Sequence, residues 1–382
     1  ITHIESAPLP VSLESPNTKR KEGTAAMKEQ AIQYLALDVH QATTVATLRD
    51  ASGGIVMRST VRTEAQAIVG LIRGAGKRVH VVFEEGTQAQ WLYDLLLPHA
   101  ERVVVCNVRG HDEGTSKSDR IDSDELSERL RVGSIKSVYH GVGTSLQTLK
   151  HLVRCYNNLV QDSTRVMLRI KALFRAVAIR TPGVSVYRPS QREKWLAQLE
   201  SRGARMRATS LLTQLDTLLE LRPRAKAAMI AEARRQRGWN VLRSIPFLGV
   251  VRVAEILALI ATPYRFRTKR QLWTYVGLAV VTRSSGDQEL VDGKLRRRKR
   301  PPLTRGLNRN HNPQLKSVFK AAANAAAAKA GPLKDFFDAS VARGVREELA
   351  KVTLARKIVS VTLRLWKKGE LWDPAKLTTQ AT

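Results

Sequence analysis

Cysteine is almost absent from this sequence: Cys106 and Cys155 are the only two in 382 residues. They form no C-x-x-C pair, which removes a disulfide framework and a structural zinc site, and the expected compartment is a reducing one, the cytoplasm. Long apolar runs are also absent. No stretch approaches the roughly 20 residues of a spanning helix, and no basic helix carries a clean apolar face, so a membrane is a poor partner. Acidic residues are scarce, with 34 Asp+Glu against 64 Lys+Arg, a formal net charge of +30. A surplus that large needs a polyanion, and nucleic acid is the usual one. What is present is an apolar fraction of 43%, enough for a core, in a length that suggests two or three domains.

Residues 1–30 are polar, aperiodic and free of the apolar core of a signal peptide, and read as a disordered tail. Met27, just ahead of the first strand-like run, would serve as a start in a chain that begins with Ile. Residues 31–142 then alternate as a sheet does. Strands are expected at Tyr34–Val39, Thr43–Arg49, Ile55–Val61, Val79–Phe83 and Val103–Val105, with Ser52-Gly53-Gly54 as a hairpin turn. Helical spacing covers Thr63–Gly74 and Gln90–Leu97. The order β-β-β-α-β-α-β is what an RNase H-like sheet requires, three antiparallel strands followed by two parallel ones.

From residue 143 the pattern becomes helical. Leu146, Leu149, Val153, Tyr156, Val160, Ser163, Met167, Ile170, Phe174 and Val177 step by three and four, a heptad seam in which only Ser163 is polar. The seam predicts a coiled coil, either between copies of the chain or as an internal hairpin with a second helix near Gln191–Arg222, which Pro223 should break or kink. Residues 143–238 are thus a helical linker, and 239–382 a mostly α-helical, basic C-terminal domain. In it, Ser284-Ser285-Gly286 reads as a break, and Lys294–Arg300 as a solvated loop.

Asp38 leaves a buried apolar strand, where an unpaired charge would be costly. Glu84 and Glu85 end the strand that neighbours it, and either could share its task. Asp119 and Asp122 lie at i and i+3 at the start of the next helix, where the macrodipole favours acids in any case. Oxygen ligands converging at one sheet end suit Mg²⁺ or Mn²⁺. Arg296, Arg297, Arg298, Lys299 and Arg300 offer phosphate contacts. The turn Ile245-Pro246-Phe247-Leu248-Gly249 ahead of a helix is either a packed cap or a hairpin that turns backbone N–H groups, Gly249 among them, toward a phosphate.

Taken together, these motifs resemble the DEDD transposases of insertion-sequence family one-ten, from bacterial and archaeal mobile elements, over nearly the whole chain after about Ala31. The resemblance rests on L-D-V-H at Leu37–His40, F-E-E-G-T at Phe83–Thr87, K-S-D-R-I-D at Lys117–Asp122, I-P-F-L-G at Ile245–Gly249, R-F-R-T-K-R-Q-L at Arg265–Leu272, G-L-A at Gly277–Ala279 and S-S-G at Ser284–Gly286. It implies a RuvC-like N-terminal domain and a C-terminal transposase domain. It also implies a metal-binding tetrad of Asp38, Glu84, Asp119 and Asp122, and a nucleophilic Ser285 that becomes esterified to a DNA phosphate. The implied partners are element and target DNA, a bridge RNA that pairs with both, and further copies of the chain, in dimers or tetramers with composite sites on the nucleoid. Three positions depart from the family pattern: the shortened Glu84-Glu85-Gly86, Phe247-Leu248 where Gly-Ile is commoner, and Ser284 beside Ser285. Two other functions are compatible with the residues: a RuvC-type junction nuclease in which water attacks, and an inactive nucleic-acid-binding remnant.

Overall fold

The computed structural model describes residues 31–107, 119–141, 144–283, 288–291, 293–297 and 303–375. They divide into two compact units, residues 1–140 and 141–382.

The first unit is built on one mixed sheet of β1 (Gln33–Val39), β2 (Thr43–Arg49), β3 (Ile55–Arg62), β4 (Val79–Glu84), β5 (Arg102–Cys106) and β6 (Ser137–Val138), in the order β3-β2-β1-β4-β5-β6. The first three strands are antiparallel; β4 and β5 run parallel to β1. This is the RNase H-like arrangement, with one strand more than the sequence suggests. β6 has only two residues, too few to show alternation, and pairs antiparallel with β5.

Side chains alternate between the faces of a strand. Leu35, Leu37, Val81 and Phe83 therefore share one face, which α1 (Ala65–Ala75) and α2 (Ala89–Leu96) cover with Ile68, Ile72, Leu92 and Leu96. Ala36, Val82, Val104 and Cys106 share the other, covered by Leu126 and Leu130 of α3 (Asp119–Arg131).

The second unit opens with an antiparallel helical hairpin, α4 (Thr144–Arg175) and α6 (Arg202–Arg234), joined by short 3-10 turns and α5 (Arg192–Leu196). The heptad seam is spent inside this unit. Val166, Ile170, Leu173 and Phe174 pack on Ala208, Leu212 and Leu215, while Leu149 and Val153 join Met229 and Ala233 in a second core. Buried Ser163 satisfies its hydroxyl on the Leu159 carbonyl of its own helix. The seam stops short of Val177, which lies beyond α4 and is 53% exposed.

Of the two outcomes expected at Pro223, a break or a kink, the break does not occur: α6 runs through it to Arg234. Proline forfeits one hydrogen bond and crowds the carbonyl four residues back. Pro223 is exposed, so the Leu219 carbonyl can turn to water, and buried contacts hold the helix on either side of the defect, at Leu215 and at Met229.

The remainder comprises α7 (Trp239–Ser244), α8 (Val250–Ile260), α9 (Lys269–Tyr275), α10 (Pro313–Ala328), α11 (Pro332–Ala342) and α12 (Glu347–Lys368) around one core. Four short strands were not foreseen. β7 (Val280–Arg283) pairs with β10 (Leu303–Leu307), and β8 (Gln288–Val291) with β9 (Lys294–Arg297). The expected solvated loop is therefore a strand over Lys294–Arg297. Val291 pairs with Lys294, and Asp-Gly between two such strands is a strong hairpin signal in the sequence.

Candidate active site

Two candidate ligands are delivered by adjacent strands. The last β1–β4 pair is Leu37 with Phe83, and Asp38 and Glu84 each follow by one residue. Alternation sets both on the face that carries Ala36 and Val82, the face that α3 crosses. Asp38 is half-buried and sits 3.2 Å from Nε2 of exposed His40. Glu84 pairs with Cys106. Burial pushes the Cys106 thiol up to about 11, and the Glu84 carboxylate adds to that rise, so Cys106 stays a protonated wall. Glu85 stands past the strand end; its N–H donates to the Cys106 carbonyl and its carboxylate accepts from Asn107 at 3.4 Å. A cleft of about 430 Å³ opens here, lined by His40, Gln41, Phe83, Glu84, Thr87 and Leu92 among others.

The position of α3 follows from a set of polar contacts that the sequence did not disclose. Thr47 Oγ1 donates to Asp124 Oδ1 at 2.8 Å and accepts from Ser123 Oγ at 2.9 Å. Arg58 grips the same carboxylate, Nε to Oδ1 at 3.0 Å and Nη2 to Oδ2 at 2.8 Å. Arg49 donates to Ser127 Oγ at 3.0 Å and to the Asp124 carbonyl at 3.2 Å. Arg131 reaches the Ala51 carbonyl. Contacts thus advance from Thr47 and Arg49 of β2 to Ala51 in the turn after it as α3 advances from Asp124 to Arg131, so β2 and α3 run in the same direction. Followed backwards, the first turn of α3 lies toward Val45, the residue paired with Asp38. Asp119 and Asp122 occupy that turn; their side chains lie outside the described residues. Among the described side chains no three His, Cys, Asp or Glu come together as a metal cluster. The donors that the fold gathers are nevertheless hard carboxylate oxygens at one sheet end, which fits a Mg²⁺-type ion.

In the second unit, Gly249 is the N-cap of α8 and no side chain caps that helix. The turn before it holds Phe247 at φ +66°, with Arg252 donating to the Phe247 carbonyl at 2.8 Å and Arg243 to the Leu248 carbonyl at 2.6 Å. Arginine side chains thus occupy both carbonyls of the turn ahead of α8. Arg296 is exposed on β9 opposite Glu289, and Arg297 ends that strand. Arg298, Lys299, Arg300, Ser284 and Ser285 lie outside the described residues.

A family model described as Transposase, of the DEDD type of IS110, matches residues 35–179. A second, described as Transposase IS116/IS110/IS902 family, matches residues 239–338. The chain belongs to this transposase family. A relative, the Insertion element IS116 uncharacterized 44.8 kDa protein of Streptomyces clavuligerus, is 23% identical over 391 residues, covering 87% of this chain and 94% of its own. The first match spans β1 to the end of α4, and thus includes Asp38, Glu84 and the start of α3. The second takes in the Phe247 turn, α9 and the β7–β10 region.

Membership gives two odd details of this transposase a physical sense. Phe247 stands where the family pattern commonly has glycine, and its positive φ is the conformation that glycine takes without strain. Gly277, in the G-L-A motif, is held at φ +71°, and a Cβ there would come within 2.4 Å of the His311 ring. No helix of the described residues is long and apolar enough to cross a membrane.

Proposed function

We propose that this transposase cuts and rejoins DNA with Asp38, Glu84, Asp119 and Asp122 as the holders of Mg²⁺ or Mn²⁺ and Ser285 as the nucleophile, directed by a bridge RNA. The observation that supports it best is the placement of Asp38 and Glu84 on one face of neighbouring strands, with the first turn of α3 directed to the same end. Four carboxylates brought to that end would repel one another and call for a cation. Bound there, the ions would neutralise a phosphate and stabilise charge on the oxygens exchanged at phosphorus.

The residues divide the remaining work. Asp38 is oriented by His40, whose ring spans the gap to one carboxylate oxygen. Glu84 is the ligand rather than Glu85, because Glu84 shares the face of Asp38. Ser285 Oγ attacks phosphorus, the new Oγ–P bond replaces a deoxyribose O–P bond, and the serine proton leaves to water or to the departing oxygen. The phosphoserine conserves the ester, so a second deoxyribose hydroxyl can reverse the exchange on another strand without further energy input. Arg296–Arg300 and the α8 N-terminus at Gly249 hold phosphates. Copies of the chain assemble so that the carboxylates of one meet the serine of another.

A suicide DNA substrate that loses its leaving strand should leave a denaturant-resistant protein–DNA adduct on Ser285, in wild type and Ser284→Ala but not in Ser285→Ala. Asp38→Asn and Glu84→Gln should each lower strand joining at least about 100-fold while binding persists, and EDTA should do the same. Cleavage by wild type with no adduct would replace this reading with a water-using nuclease, and joining undiminished in EDTA would remove the metal.

A further inference from the structure

Helix α12 carries a half-buried stripe at helical spacing: Thr353, Arg356, Lys357, Ser360, Arg364 and Lys367. Its members are hydroxyls and cations, with no carboxylate. The acids of the α12 region stand at its ends, where Glu347 pairs with Lys351 and Glu370 with Lys368. Most solvated helices balance their charges at i and i+4; this stripe does not.

A second basic element lies against it. Trp273 of α9 donates its indole N–H to the Arg356 carbonyl and to Ser360 Oγ, both at 3.1 Å. The Lys367 ammonium donates to the Phe266 carbonyl, and the Tyr264 hydroxyl to the Lys367 carbonyl at 3.2 Å. These contacts bring the exposed Arg267, Lys269 and Arg270 beside the stripe. Lys269 Nζ and Arg356 Cζ lie 5.8 and 5.9 Å from the Trp273 ring centre, and Lys357 Nζ lies 5.4 Å from that of Phe336. None of these cations has a carboxylate partner among the described residues. Burial, then the nearby Arg364 and Lys269 charges, hold the Lys357 ammonium below its ordinary value; burial lowers Arg356 too. The free chain therefore crowds and partly desolvates like charges, an arrangement that costs stability and that an arriving anion relieves.

We propose that the α9–α12 face is a binding surface for the phosphate backbone of duplex DNA, made of residues other than the Gly249 turn and the Arg296–Arg300 run. The stripe is straight and about 21 Å long from Thr353 to Lys367 at 1.5 Å per residue, suited to successive phosphates of a stiff helix. The stripe carries no carboxylate to repel those phosphates. Trp273 is occupied by hydrogen bonds and overlying cations, so the face lacks the open stacking platform that single strands require. The surface rests on the chain's handling of DNA and needs neither the metal nor Ser285.

The test uses the full chain in EDTA, a 20-bp duplex of arbitrary sequence, and the variant K269A/K357A/R364A. Losing three phosphate contacts should make the slope of log affinity against log salt shallower by about 2.7, so that a fourfold rise in salt costs wild type roughly 40-fold more than the variant. The melting temperature of the variant should equal or exceed that of wild type, and K269R/K357R should keep the wild-type slope. Should the triple variant melt lower, Lys357→Gln and Arg364→Gln must each still take about 0.9 from the slope. An unchanged slope overturns the proposal, as does a loss confined to an RNA hairpin of equal length. Absence of strand joining in the Asp38→Asn assay leaves this EDTA result untouched, so the two readings fail separately.

Discussion

Phe247 shows how a single residue can carry a local cost for the sake of a turn. A non-glycine residue in the left-handed region loses about 1–2 kcal/mol to contact between its Cβ and the backbone. Here the side chain recovers part of this by packing on the core of the second unit. The balance predicts an inversion of the usual order. Phe247→Ala gives up the aromatic contact and retains the strain, whereas Phe247→Gly gives up the contact and releases it. Thermal or denaturant unfolding should therefore find Phe247→Gly more stable than Phe247→Ala by about 1 kcal/mol, net of the extra chain entropy of glycine. Equal stabilities, or alanine ahead, would mean that the turn is not held at positive φ. The motif was legible in the sequence as a glycine-type turn; the strain was not, because it is a property of a backbone angle.

At the scale of elements, the sheet was legible and the fastening of α3 was not. β1 to β5 declare themselves by buried runs and alternation. The Asp38 and Glu84 positions at strand ends follow from the same pattern. β8 and β9 escape it because Lys-Leu-Arg-Arg has no apolar face, although Asp292-Gly293 was there to be read. The seam of α4 and a returning helix up to Arg222 were evident, but the continuation of that helix to Arg234 was not, since Arg222-Pro223-Arg224 interrupts any helical pattern there. Asp124 and Arg58 are 66 residues apart, and no local pattern joins them. Their pair has a consequence for pH. Hydrogen bonds from Arg58, against some opposing burial, and then from Thr47, hold the Asp124 carboxyl below its ordinary 3.8. A depressed acid contributes stability above its unfolded value and loses it as pH falls through the folded one. Asp124→Asn should thus cost about 2 kcal/mol near neutral pH, and that difference should shrink as pH falls below 3.8 and close only once the folded carboxyl is protonated. Because α3 also bears Asp119 and Asp122, Arg58→Ala should raise the Mg²⁺ concentration needed for joining, with Arg58→Lys recovering part of the loss. A pH-independent Asp124→Asn penalty would show that the carboxylate charge is not what fastens the helix.

Over the whole molecule the charge is divided very unevenly. Residues 1–140 carry 17 Lys+Arg against 18 Asp+Glu, and residues 141–382 carry 47 against 16. The unit with the carboxylate strand ends is thus near neutral, and the entire surplus belongs to the other. On the proposed metal reading, a strongly cationic surface around the carboxylates would weaken their hold on a divalent ion, whereas a polyanion must be gathered by something; placing the two demands on different units meets both. The second demand is measurable. Each phosphate contact contributes about 0.9 to the dependence of log affinity on log salt for duplex DNA, and a charge contributes only where DNA lies. Replacing Arg296, Arg297, Arg298, Lys299 and Arg300 by Ala should therefore flatten the slope by about 4. Replacing Arg62, Arg73 and Lys77 of the first unit should leave it within about 0.5 of wild type, although it also removes three positive charges. A diffuse field of the net charge would instead make both variants respond in proportion to the charge removed. That outcome would assign the affinity to long-range attraction and deny the Arg296–Arg300 run any contact of its own.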